Sequence, residues 1–227
     1  MTASTLDSAI ALPEIVFSAG AARWKIRVSD AVSLAVSMDF ERRQPSLFGV
    51  PLARCGPLRV GSFIGSVSQG GSCNVDVVQA LIPHCQGTHT ESVGHIVSEA
   101  VAIGRVCLSP LLLAQVVSVT PMSSGTHVDS YRPPIEADDR VISAKSLNAA
   151  MTALPTWSTG DESPRISALI VRTLPNSEQK RHTVYAVTDC VPYFSVEAMD
   201  RIDELGFDHL LTDLPSIDRL NDSGWLT

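Results

Sequence analysis

A strand–helix–strand succession in the last third of the chain restricts its fold more than any other pattern. Residues 165–172 are apolar and β-branched enough for a central strand. Ser195 can then cap a helix that Gly206 ends, and residues 207–211 supply a further strand. Because a strand is also expected at 183–188, before the helix, we predict a right-handed crossover. The pattern predicts an α/β fold, with a mixed β-sheet and helices packed against it.

Other apolar runs predict further elements of this fold. From Val32 to Met38, apolar residues alternate with Ser33, Ala35 and Ser37, a pattern that predicts a strand with one buried face. Residues 58–67 and 73–82 predict two strands of a hairpin, because a Gly-rich turn joins them. Residues 111–119 predict a strong strand, and residues 145–154 a helix.

A turn-rich stretch at residues 84–95 contains three histidines, one cysteine and one glutamate, which are common metal ligands. Cys85 and His89 are four residues apart and can share one face of a turn, while His89 and Glu91 can share one side of an extended segment. Gly87 would allow a positive φ and a tight bend between them. The spacing predicts a metal site, against the alternative of a polar loop whose side chains cap local backbone groups.

The same stretch resembles the His-x-Gly-Thr-His-x-Asp-x-Pro-x-His motif of the putative cyclase family, which includes bacterial kynurenine formamidase and isatin hydrolase. Aligned on the Gly-Thr-His triplet, this chain supplies, in motif order, Cys85, Gly87, Thr88, His89, Glu91, Val93 and His95. Glutamate for aspartate is a conservative change, whereas cysteine for histidine and valine for proline are departures.

The resemblance implies a role for each motif residue. Cys85, His89 and Glu91 stand where metal ligands stand, and His95 stands where the catalytic acid/base histidine stands. A cysteine ligand makes the site softer and favours Zn²⁺ over Mn²⁺. His84 is the alternative to Cys85, if the loop slips by one residue.

A second part of the chain resembles the same family. The family's Tyr-Leu-Ser-x-Glu-Ala-Ala helix start appears here as Tyr193, Phe194, Ser195, Glu197 and Ala198. Its Asp-x-Pro-Ser-Val-Asp loop appears as Asp213, Pro215, Ser216, Ile217 and Asp218. The resemblance therefore covers roughly residues 30 to 218. It implies the swivelling β/β/α fold of the family and a homodimer.

In the family, a later segment supplies a histidine and a glutamate that complete the metal centre. The residues after Asp218 contain neither. The resemblance thus leads us to expect a chain truncated at its C-terminus relative to the family, with an exposed edge or an apolar patch near Trp225. Its site would have three ligands, be completed by a partner subunit, or bind ligand without metal.

Composition narrows the function classes. The chain has 227 residues, 44% of them hydrophobic, which suits a single domain preceded by a loose arm at residues 1–12. A net charge of −7 argues against nucleic acid or an anionic membrane as the main partner. Five scattered cysteines without a Cys-x-x-Cys pair, and no signal peptide, indicate a reducing cytoplasmic setting.

The residues and the resemblance together predict metal-dependent hydrolysis of a small-molecule amide, formamide or cyclic amide, as in an arylformamidase. Zinc would activate a water, and His95 would move the proton to the leaving nitrogen. The competing hypothesis is a catalytically impaired relative that acts as a ligand-binding or structural protein. A serine hydrolase is set aside, because the chain has no Gly-x-Ser-x-Gly motif.

Overall fold

The computed structural model describes residues 14–19, 22–41, 44–99, 101–106, 109–123, 125, 129–152 and 165–222. The arm predicted at residues 1–12 and the region of Trp225 lie outside these residues. The chain forms two compact units, Met1–Leu34 with Pro155–Arg165 and Ala35–Leu154 with Ile166–Thr227. The single-domain organisation stays a prediction.

The smaller unit contains an antiparallel hairpin of β1 (Glu14–Ala19) and β2 (Ala22–Arg27). An exposed ion pair joins Lys25 to Glu14 at 2.6 Å, and exposed pairs of this kind contribute little to stability. A 3-10 turn, Val28–Asp30, follows β2.

The larger unit contains the remaining elements. Its strands are β3 (Ser46–Leu47), β4 (Arg54–Pro57), β5 (Arg59–Val60), β6 (Phe63–Ile64), β7 (Asp76–Gln79), β8 (Ala114–Val119), β9 (Met122–Ser123), β10 (Arg140–Ile142), β11 (Ala168–Thr173), β12 (Val184–Tyr185), β13 (Tyr193–Phe194) and β14 (His209–Thr212). Its helices are α1 (Pro83–Gln86), α2 (Ile103–Val106), α3 (Ala144–Thr152) and α4 (Val196–Glu204). None of the helices in the described part of the chain has the length and apolar character needed to cross a membrane.

A three-stranded parallel sheet, β8–β11–β14, forms the centre of this unit. The predicted central strand is confirmed, since β11 lies between the other two. Leu169 and Val171 of β11 are fully buried in a cluster with Leu147 of α3 and Ile202 of α4. Burying side chains of this size contributes about 1.5 to 3 kcal/mol each. The apolar, β-branched run therefore forms the core strand that its composition predicts.

The α/β fold is confirmed, but its strands are distributed over several small sheets. In a second three-stranded sheet, β10 pairs in parallel with β13 and antiparallel with β9. Three two-stranded pairs, β3–β12, β4–β7 and β5–β6, complete the larger unit within the described residues. The strands of the mixed sheet expected from the sequence therefore do not all share one sheet.

Helix α4 begins and ends at the predicted residues. The Ser195 hydroxyl accepts a hydrogen bond from the Ala198 N–H at 3.1 Å, and Gly206 follows the helix with a φ of +74°. The crossover prediction is wrong in one respect, because β12 pairs with β3 and not with β14. The strand that lies parallel and adjacent to β14 is β11.

Two other sequence expectations fail because strand pairing depends on distant partners. Residues 32–38 form no strand, and Val32 and Leu34 are 81% and 64% exposed. The expected hairpin between residues 58–67 and 73–82 is replaced by pairing of β4 with β7, with the short β5–β6 hairpin inserted between them. Gly65 permits this arrangement, because a Cβ there would lie 2.1 Å from the Val75 carbonyl oxygen.

One carboxylate joins the starts of the two core helices. Asp129 Oδ2 accepts hydrogen bonds from the Ala144 N–H, at the start of α3, and from the Ser195 hydroxyl, which caps α4, both at 2.7 Å. Ser195 in turn holds the Ala198 N–H. Asp129 therefore fixes both helices that cover the parallel sheet.

Replacing Asp129 by alanine should lower the free energy of unfolding by about 1 to 2 kcal/mol, because it removes the acceptor of the Ala144 N–H and leaves the Ser195 hydroxyl with the more distant Ile142 carbonyl oxygen, at 3.4 Å, as its acceptor. Urea denaturation of Asp129→Ala, Asp129→Asn and the unmodified protein measures this. Asparagine retains an acceptor oxygen and should cost less than alanine. Glu178→Ala, at a side chain that is 89% exposed, is the surface control. Equal stability of Asp129→Ala and this control would contradict the role of Asp129.

Candidate metal centre

The histidine-rich stretch begins in α1, a single turn that follows β7. Pro83 opens this turn, and the Cys85 N–H donates to the Ile82 carbonyl oxygen at 2.9 Å. Gln86, which is 1% exposed, anchors it: its Oε1 accepts from the Ile82 N–H at 2.7 Å, and its Nε2 donates to the Pro51 carbonyl oxygen at 2.5 Å. The buried amide thus ties the start of the site to a distant loop.

The rest of the stretch is held by a few further hydrogen bonds. The Thr88 hydroxyl accepts from the Val36 N–H at 2.8 Å. The Ser92 hydroxyl accepts from the Gly94 N–H and donates to the Val101 carbonyl oxygen, which fixes the 3-10 turn that contains His95. The tight bend expected at Gly87 is wrong, because its φ is −152°, an extended conformation open to any residue.

Three imidazoles surround one carboxylate oxygen, Oε1 of Glu91. His84 Nδ1 is hydrogen-bonded to it, His89 Nε2 lies 3.2 Å from it, and His95 Nδ1 lies 3.8 Å from it. The His84 ring centroid is 5.3 Å from that of His89 and 4.5 Å from that of His95. All four side chains are 27% to 44% exposed, so small molecules can reach them.

The hydrogen bonding of His89 determines which nitrogen carries its proton. His89 Nδ1 lies 2.8 Å from the Gly87 carbonyl oxygen, which can only accept, so Nδ1 is the donor. In a neutral imidazole, Nε2 then presents a lone pair to the Glu91 oxygen. Two acceptors facing each other at 3.2 Å repel, unless a second proton or a cation lies between them. Backbone carbonyls orient metal-binding histidines through the same kind of hydrogen bond.

The histidines keep the Glu91 carboxylate ionised. Partial burial alone would raise its pKa, but the charge and hydrogen bond of His84, the charge of His95 and the hydrogen bond of His89 outweigh burial and lower the pKa below its usual value. An ionised carboxylate among imidazole nitrogens is a donor set that suits a divalent cation.

The structure also locates the predicted ligands relative to one another. Among the described residues, His84, Glu91 and His95 form a group whose ligand atoms all lie within 4.8 Å of one another. His89 is outside this group, although its Nε2 lies 3.2 Å from Glu91 Oε1. Cys85 does not belong to this group, and its neighbour His84, the alternative from the sequence, occupies that place. The roles of all these residues as ligands stay predictions.

The pKa of the Cys85 thiol also disfavours this residue as a metal ligand. Its side chain is half-buried, and burial first, then the negative charge of Glu91, raises the pKa of the thiol. Because the thiolate is the form that binds metals, a raised pKa disfavours coordination.

Sequence reasoning missed Gln86, because nothing in the local pattern marks a glutamine as buried.

Cys85 should react with iodoacetamide at least about threefold more slowly than the exposed Cys55 and Cys73 in metal-free protein at pH 8, because a raised pKa leaves less thiolate. Peptide-resolved mass spectrometry gives each rate. In Glu91→Gln, the pH profile of Cys85 alkylation should move toward lower pH, since the variant removes the negative charge that contributes to the raised pKa. A Cys85 rate equal to that of the exposed thiols would contradict this account.

Comparison with known proteins gives one result. Residues 36–219 match the Cyclase family, described as putative cyclase, and this range contains the whole histidine cluster. Searches of curated proteins and of solved structures returned no match. Because the matched residues make up well over half of the chain, this protein belongs to the putative cyclase family.

Proposed function

We propose that this protein is a metal-dependent hydrolase of an amide, formamide or small cyclic amide. In this proposal, His84, His89 and Glu91 hold the metal and His95 is the catalytic acid/base. The observation that carries it is the single carboxylate oxygen of Glu91 faced by three imidazoles, inside the part of the chain that matches the Cyclase family.

The donor set and its spacing support this proposal. Two imidazole nitrogens and one carboxylate oxygen are the ligands of many hydrolytic zinc sites, which keep a further position open. Tetrahedral zinc places neighbouring ligand atoms roughly 3.4 Å apart. His89 Nε2 is already 3.2 Å from Glu91 Oε1, and His84 Nδ1 is hydrogen-bonded to the same oxygen, while the His84 and His89 ring centroids are 5.3 Å apart. Rotation of exposed side chains can supply the difference.

Each residue has a separate task. When bound, zinc supplies Lewis-acid polarisation of a carbonyl and lowers the pKa of water. Glu91 provides the negative charge, and the Gly87 carbonyl orients His89 through its Nδ1–H. His95, the imidazole farthest from Glu91 Oε1, is free to take a proton from attacking water and deliver it to the leaving nitrogen.

The competing hypothesis needs no metal. Protonated His84 and His89 would form ion pairs with Glu91 at the same positions, and the protein would then be a ligand-binding relative without hydrolytic activity. Metal analysis separates the two hypotheses directly.

Purified protein should contain about one zinc per chain, as measured by inductively coupled plasma mass spectrometry. Glu91→Gln and His84→Ala should each lose the zinc, because each variant removes one proposed ligand. Cys85→Ala should keep it, and His182→Ala is the matched histidine control outside the cluster.

Two outcomes would contradict this assignment. Loss of zinc in Cys85→Ala but not in His84→Ala would make Cys85 the ligand, as the motif register implies. If the unmodified protein binds neither zinc nor manganese when either is supplied, the proposed hydrolase function fails.

His95→Ala should retain zinc and lower kcat/KM for an N-formyl aryl amine by about 10²-fold to 10⁴-fold, the usual contribution of a general acid/base. His182→Ala should leave the rate unchanged. Hydrolysis followed by release of the aryl amine measures both. Loss of zinc in His95→Ala would instead make His95 a ligand, and an unchanged rate would remove its catalytic role.

A further inference from the structure

A second concave site lies away from the histidine stretch in sequence, at the carboxyl ends of β11 and β14. A cavity of about 220 Å³ is lined there by Lys180, Tyr185 and Leu214, among other residues. In open α/β sheets, ligands bind beyond the carboxyl ends of the parallel strands. The volume is below the range typical of drug-sized ligands, about 300 to 1,000 Å³, so the cavity suits a small molecule.

Lys180 supplies a fixed hydrogen-bond donor at this cavity. Its ammonium lies 2.5 Å from the Thr173 hydroxyl and 3.3 Å from Asp213 Oδ2. Asp213 also accepts from the backbone N–H and the hydroxyl of Thr173, which holds it in place. An ammonium has three donors, and these two contacts use two of them. The side chain is 25% exposed, which leaves the third donor for a ligand.

Tyr185 supplies a second donor. Burial raises the pKa of its phenol, a hydrogen bond with Thr183 opposes that rise, and the charges of Asp213 and Asp189 reinforce it. The net rise keeps the phenol protonated at neutral pH. Lys180 and Tyr185 both line the cavity, and rotation of the phenolic hydroxyl away from Thr183 lets Tyr185 donate to a ligand beside the ammonium.

The remaining walls and the local charge limit the ligand further. Val191, Pro192, Leu214 and Pro215 give the cavity an apolar side. The positive charge of Lys180 is cancelled by Asp213, so neither an anion nor a cation gains net attraction at this ion pair. The chemistry favours a neutral ligand with an acceptor oxygen and an apolar part.

We propose that this cavity binds a small neutral molecule whose carbonyl oxygen accepts hydrogen bonds from Lys180 and Tyr185, with its apolar part against Leu214 and Pro192. The proposal does not depend on hydrolysis or on a metal at the histidine cluster. The cavity lies within residues 36–219, which match the family, and would be a second ligand site beside the histidine cluster.

Three probes of similar shape and different charge test the proposal: benzamide, benzoate and benzylamine. Binding is followed by chemical-shift changes of backbone amides in residues 177–192 and 213–215. The experiment uses full-length Glu91→Gln, so that no probe is held by a metal at the histidine cluster. Benzamide should bind in the millimolar range and at least about tenfold more tightly than benzoate or benzylamine.

Variants assign this binding to the cavity. Lys180→Met removes the ammonium but keeps the length of the side chain, and Tyr185→Phe removes only the phenolic hydroxyl. Each should weaken benzamide binding at least tenfold, while Lys145→Met, an exposed lysine of α3, should leave it unchanged. Tyr185→Phe keeps the test valid if Lys180→Met does not fold.

Three results would overturn the proposal. They are the absence of a shift at these amides with benzamide at about 10 mM, equal or tighter binding of benzoate, and benzamide binding that is unchanged in Tyr185→Phe. None of them bears on zinc binding or hydrolysis by the unmodified protein. Conversely, a protein without zinc could still bind benzamide here, so the two proposals fail separately.

Discussion

Burial of the central strand β11 beneath α3 and α4 is the constraint on which the larger unit depends. Leu169 and Val171 have no exposed surface, and the two helices can cover them only if both start at the correct place. Asp129 sets both starts through one carboxylate oxygen. A residue outside the strands and helices thus couples the positions of two elements that are about fifty residues apart in sequence. The cavity beside Lys180 lies at the carboxyl ends of β11 and β14, two strands of the sheet that these helices cover.

The histidine cluster is held much less firmly than this core. It lies on short turns with exposed side chains, and the buried amide of Gln86 is its strongest tie to the rest of the unit. A buried amide left without its partners costs about 1 to 3 kcal/mol, so this tie resists displacement of α1. Beyond α1, the Thr88 hydroxyl and the Ser92 cap position the remaining turns. A site of this kind can adjust by rotating its imidazoles, which is what binding of a cation between His89 and Glu91 requires.

One pair of strands connects the two candidate sites. β3 packs against α1, which carries His84, and pairs in parallel with β12, which carries Tyr185. Leu47 in β3 is buried, so β3 is held by packing as well as by pairing. The residues around Lys180 and Tyr185 are therefore connected to the histidine cluster through β12, β3 and α1. The two sites nevertheless use different side chains, and the ligands proposed for them differ: a divalent cation for one and a neutral carbonyl compound for the other.

The sequence by itself determined the features that depend on neighbouring residues: the apolar composition of β11, the Ser195 cap and Gly206 end of α4, the clustering of ligand types at residues 84–95, and the motif that indicated the family. The tertiary structure decided which segments pair. It left Val32 to Met38 without a partner strand, paired β12 with β3, and inserted β5–β6 between β4 and β7. It also placed His84, rather than Cys85, beside Glu91. The physical reason is the same in each case: caps and propensities act within a few residues, whereas strand partners, and the direction of a side chain on a turn anchored by Gln86, depend on contacts with segments far away in the chain.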